Sequence, residues 1–170
     1  YLFPWSADDI SGHCKKVYDA AAITFFVLTG VRISEMSSIR SDDYDEESDG
    51  TWVFKSDIDK TNFGLSEVRT MYGLVAEAAN ALVKLSYLDK DETSSPLFAR
   101  CFYGSDFRSK EYVDNNNKGT TESAIRRQLK NNYKNLTDKY GVELLSIHPT
   151  ISPHQFRHTF VEFSLRRFDG

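Results

Sequence analysis

The octapeptide Ser152-Pro153-His154-Gln155-Phe156-Arg157-His158-Thr159 leaves the backbone little choice. Ser152 can cap a helix, Pro153 suits the first helical position, and Gln155 completes a capping box. A helix opening there sets His154 and Arg157 three residues apart on one face. The positive end of the helix dipole lies beside them, which suits gripping a phosphate better than filling a core.

A second punctuated stretch lies near the other end of the chain. The apolar helical run over residues 20–28 stops at Thr29-Gly30, where glycine permits a tight turn. Arg32 then opens a new short helix, with Glu35 one turn on and on the same face. Between these stretches, Lys60-Thr61-Asn62-Phe63-Gly64 reads as a hairpin turn. Thr51-Trp52-Val53-Phe54 and Glu67-Val68-Arg69-Thr70-Met71 flank it with strand character.

The rest of the chain supplies helices. Ser6-Ala7-Asp8-Asp9 resembles a capping box with Asp in place of Glu and opens a helix toward Tyr18, which residues 20–28 continue. Leu74, Ala78, Ala81, Leu82 and Leu85 recur at helical spacing and predict an amphipathic helix over about 73–87. Residues 88–118 are loop-rich. Over 120–139, Ile125, Leu129, Tyr133, Leu136 and Tyr140 form an apolar stripe. Arg126, Lys130 and Lys134 run parallel to it, with Arg127 alongside. That basic stripe reads either as a solvated face or as a contact for a nucleic-acid backbone.

Composition bounds these readings. The 170 residues, 40% of them hydrophobic and 12 of them Phe, suffice for one domain with a real core. No stretch is long or apolar enough to cross a membrane, and Tyr1-Leu2-Phe3-Pro4-Trp5 does not read as a signal peptide. Cys14 and Cys101 have no paired spacing, so free thiols in a reducing cytoplasm are expected. The net charge of −4 is concentrated. Asp42, Asp43, Asp45, Glu46, Glu47 and Asp49 fall together, and without that run the net is +2. The run reads as a solvated loop facing away from any polyanion, leaving a mildly basic remainder with weak, salt-sensitive DNA affinity.

Together these stretches resemble, almost end to end and in order, the catalytic domain of the tyrosine recombinases, the phage-integrase family. Thr29-Gly30-Val31-Arg32-Ile33-Ser34-Glu35, followed by Ile39 and Asp42 or Asp43, resembles the first arginine motif of that family. Lys60 followed by Glu67-Val68-Arg69-Thr70 resembles its lysine hairpin. His154-Gln155-Phe156-Arg157-His158-Thr159-Phe160 resembles its histidine–arginine motif. The resemblance implies a mainly helical α+β catalytic-core domain spanning 1–170, with a small antiparallel sheet near 42–72. It further implies strand transfer on duplex DNA through a 3′-phosphotyrosine, by a homo-oligomer (tetramer), without metal or high-energy cofactor. Arg32 and Arg157 would clamp the phosphate, Lys60 would be the general acid, and His154 would hydrogen-bond the phosphate or assist proton transfer.

Glu35 is expected to orient Arg32 or its loop, and His158 to be a packed, supporting histidine. Lys55 competes with Lys60 for the acid role. His148 has no motif around it and receives none. In this family the nucleophilic tyrosine follows the second arginine by a few dozen residues. The thirteen residues after Arg157 contain no Tyr, and Tyr133 and Tyr140 precede the motif. The chain is therefore expected to be a fragment without its nucleophile and without the amino-terminal DNA-clamping domain, inactive by itself.

Two other readings compete. His154 and His158 have the i, i+4 spacing of zinc-binding helices, with His148 upstream. Gln155 stands where a metalloprotease needs Glu, and Arg157 would repel a dication. The alternative function is a noncatalytic DNA-binding or assembly module with the same fold.

Overall fold

The computed structural model describes residues 6–36, 38–57, 66–85, 95–98, 123, 125–127, 129–131, 134, 138 and 152–168. Helix α1 spans Ala7–Thr29, and α2 is the short Ile33–Met36. Strands β1 (Tyr44–Glu46), β2 (Trp52–Asp57) and β3 (Ser66–Met71) follow, then α3 (Gly73–Leu85) and, near the end, α4 (Pro153–Phe168). Positions 123, 125–127, 129–131, 134 and 138 are also helical. The mainly helical α+β class is therefore observed.

Helix α1 begins where its cap dictates. The Asp9 amide donates to Ser6 Oγ at 3.1 Å, and the Ser6 amide donates back to Asp9 Oδ2 at 3.0 Å. The Asp variant of the capping box thus satisfies two end groups reciprocally. At the other end Gly30 takes a left-handed conformation (φ 60°) and its amide reaches Phe26 O at 3.1 Å.

The three strands form one antiparallel sheet in the order β1-β2-β3. Trp52 pairs with Met71, Phe54 with Arg69, and Ser56 with Glu67, while Tyr44 of β1 pairs with Phe54. Directly opposed residues share a face, so Phe54 and Met71, both buried, mark the inner side. The acidic run is not wholly a loop, since Tyr44–Glu46 form an edge strand. Its Asp45, Glu46, Glu47 and Asp49 are exposed, as expected of charges on an unpaired edge.

The core sits between α1, α3 and the inner face of the sheet. Ala21 and Ala22 of α1 and Ala76, Ala78 and Ala79 of α3 are all buried, and such small side chains let two helices approach closely. Phe25 lies at the centre, edge-on to Phe54 and to Phe98, each with ring centroids 5.4 Å away. Edge-to-face geometry places the positive rim of one ring against the negative face of the other. Val75 and Leu82 fill the α3 side, whereas Leu74, expected in the apolar stripe, is exposed on the first turn. Ile125 and Leu129 join the same core.

Candidate active site

The site grows from the turn after α1. Thr29 Oγ1 donates to Phe25 O at 2.7 Å, Gly30 reverses the chain, and Val31 plunges into the core at 1% exposure. Arg32 is thereby held at the mouth of α2. Its amide donates to Glu35 Oε2 at 3.0 Å and its Nη1 to Glu35 Oε1 at 2.6 Å. Glu35, at 1% exposure, is a buried carboxylate reaching back over its own helix start.

Helix α4 brings in the second arginine. At its start the Ser152 amide donates to Gln155 Oε1 at 2.5 Å, the glutamine half of the expected box. Phe156 lies against Phe26 of α1 with centroids 6.3 Å apart, and Phe160 packs over Gly30. Arg157 Nη1 donates to the Gly30 carbonyl at 3.0 Å, joining residues 127 positions apart. Burial, and then the nearby positive charge of Arg32, pull the Arg157 guanidinium below its ordinary value; Arg69 adds to that pull and Glu35 opposes it.

Three guanidiniums therefore gather around the Gly30 turn. Sequence reasoning gave no role to the third, Arg69. From β3 its Nη1 donates to Glu35 Oε2 at 3.1 Å, while its Nε (2.9 Å) and Nη2 (2.7 Å) both reach Glu67 Oε2. One signal was available, because Arg69 lies two residues before Met71 and so shares its core-facing side, and a charged residue on the core side of a strand needs a partner. Crowded, partly desolvated cations mark a place that an anion would complete.

The sequence model of the phage integrase family matches residues 6–163. The chain belongs to the phage integrase family. None of the curated proteins matches it significantly. Family membership carries site-specific recombination, with DNA as the substrate, as the coarse function.

Within this integrase-family domain the remaining candidate residues fall as follows. His154 and His158 are both exposed, and their Nε2 atoms meet at 2.9 Å with rings edge to face at 4.4 Å. His158 is therefore not the packed histidine expected of it, but exposed. It lies on the outer side of α4, where one turn of helix sets it beside His154. A contact between two ring nitrogens requires one to donate and the other to accept. Among the described residues no group of three or more His, Cys, Asp or Glu is placed to hold a metal, and His148, the third histidine of the zinc reading, is not one of them. Cys101, Tyr133 and Tyr140 lie outside them too.

Lys60 also lies outside the described residues. Lys55, its competitor, is exposed on β2. Arg126, Arg127, Lys130 and Lys134 are helical and exposed, opposite the buried Ile125 and Leu129. At roughly 100° per residue the four cations cover one sector of about 100°, turned away from the core-facing stripe. No described helix is long and apolar enough to cross a membrane.

Proposed function

We propose that this domain performs the phosphate chemistry of a DNA strand-transfer enzyme, with Arg32 and Arg157 as its clamp. One observation carries the reading: both guanidiniums are fixed to the same turn, Arg32 through buried Glu35 and Arg157 through the Gly30 carbonyl. Each arginine is permanently charged and can fork onto two phosphate oxygens. In the reaction a tyrosine oxygen attacks phosphorus, the 5′-oxygen leaves, and a 3′-phosphotyrosine holds the bond energy for rejoining. The pentacoordinate transition state gathers negative charge on the nonbridging oxygens, where prepositioned cations lower the barrier.

His154, at the positive end of α4, would donate to the same phosphate or take the proton of the attacking hydroxyl. Lys60 would protonate the leaving oxygen. No tyrosine occurs among residues 158–170, so the reading leaves the nucleophile to a residue outside this stretch, acting in cis or from a neighbouring subunit. The basic sector of Arg126, Arg127, Lys130 and Lys134 would lie along the DNA backbone.

The test is covalent capture. The full-length protein carrying this domain, mixed with nicked cognate duplex, should give an adduct that survives a denaturing gel. Arg32→Ala and Arg157→Ala should each lower its rate of formation by about 10²–10³. Adduct formation untouched by either substitution would sink the clamp. DNA binding with no adduct from the wild-type protein would instead leave a noncatalytic assembly module.

A further inference from the structure

We propose that Arg69 is a positioning residue for strand cleavage: it holds Glu35 so that Arg32 is presented to the phosphate. This inference rests on the clamp reading above.

The difficulty it resolves is electrostatic. A carboxylate buried directly beneath a phosphate clamp works against the clamp in two ways. Its charge repels the phosphate, and it competes with the phosphate for the Arg32 guanidinium. Glu35 is in that position, with Oε1 on Arg32 Nη1 at 2.6 Å and only 1% of its surface exposed. Arg69 meets it at the other carboxylate oxygen, donating Nη1 to Oε2 at 3.1 Å. The Arg32 amide reaches the same oxygen at 3.0 Å. Both carboxylate oxygens are therefore occupied, so the group cannot rotate without breaking a charged hydrogen bond. Its negative charge is matched by a second cation, Arg69, that is itself tied to Glu67.

Arg69 is in turn immobilised. Two further nitrogens close on Glu67 at 2.9 and 2.7 Å, and its place on the sheet is set by the pairing of Phe54 with Arg69. A planar fork can bridge two carboxylates in this way, whereas a lysine ammonium would serve one of them well. Arg69 thus links the sheet to the arginine turn. The spacing of 34 residues between Glu35 and Arg69 means that only correct docking of β3 assembles the pair.

The experiment measures single-turnover cleavage of nicked duplex by the full-length protein, alongside its DNA affinity. Arg69→Ala is expected to slow cleavage at saturating DNA by about 10–100-fold while changing Kd by less than about threefold. Free guanidinium ion at about 10 mM, far below denaturing levels, is expected to restore at least about fivefold, because it can refill the site beside Glu35. Arg69→Lys, which keeps the charge and protects folding, should be slowed by a smaller factor.

A wild-type cleavage rate in either variant overturns the proposal. So does a loss of rate matched by an equal loss of affinity that guanidinium does not restore, since that marks a purely structural residue. Should Arg69→Ala not fold, Arg69→Lys alone decides by the same comparison of rate and affinity. Arg32→Ala separates the two readings. If it leaves cleavage intact, the clamp itself is wrong; if it abolishes cleavage while Arg69→Lys and Arg69→Ala are unimpaired, only the role of Arg69 falls.

Discussion

Glu35 shows how one residue's chemistry depends on what reaches it. Burial alone would push its carboxyl up from 4.5, but the Arg32 amide and guanidinium, with Arg69, outweigh that and hold it below. A carboxylate with a depressed folded value binds its proton more readily when unfolded. Its stabilisation is therefore present above the ordinary carboxylate range and is lost as pH falls through the depressed value. Glu35→Gln should lower Tm at neutral pH, with a cost of about 1–3 kcal/mol for the buried donors it leaves poorly paired. Its Tm should also fall less steeply than wild type as pH drops below the ordinary carboxylate range. Scanning calorimetry across that window checks both; parallel curves for the two proteins would show that Glu35 carries no linked stability.

Among the elements, α4 is positioned by the end of α1 more than by its own sequence. A Cβ on Gly30 would collide with the Phe160 ring, and the backbone there is already left-handed. Gly50 is left-handed too (φ 83°), yet a Cβ on it would meet nothing within 4 Å. Gly50→Ala should then cost only the backbone strain, about 1–2 kcal/mol. Gly30→Ala should cost that much plus the displacement of α4, and should impair adduct formation by moving Arg157 off the Gly30 carbonyl. Thermal denaturation and the capture assay, run on both variants, distinguish the cases. Equal effects of the two substitutions would show that Phe160 does not set the seat of α4.

At the scale of the molecule the charges are segregated. The acids of residues 42–49 stand on and beside an edge strand, and four cations share one exposed helical sector. If that sector tracks the DNA backbone, neutralising Arg126, Arg127, Lys130 and Lys134 should weaken binding alike for cognate and unrelated duplex. The slope of log affinity against log salt should become shallower by about 0.9 for each phosphate the variant no longer neutralises. Titrations at several salt concentrations measure this; an unchanged slope would return the stripe to a merely solvated face.

How far the sequence could be read follows from the range of each interaction. Caps, turns and periodicities act over three or four residues. Ser6 with Asp9, the stop at Thr29-Gly30, Ser152 with Gln155 and the strands around the hairpin were therefore all legible. The family motifs singled out Arg32 and Arg157, and the structure brings both to the Gly30 turn. Exposure was less legible, because periodicity does not say which turn of a helix the core reaches; Leu74 and His158 both proved exposed. What only the tertiary structure decided are the long-range pairings: Arg157 on the Gly30 carbonyl, Arg69 on Glu35, Phe160 over Gly30. Each depends on where one element docks against another. Docking is set by the summed packing of the core around Phe25, and no local pattern of residues encodes it.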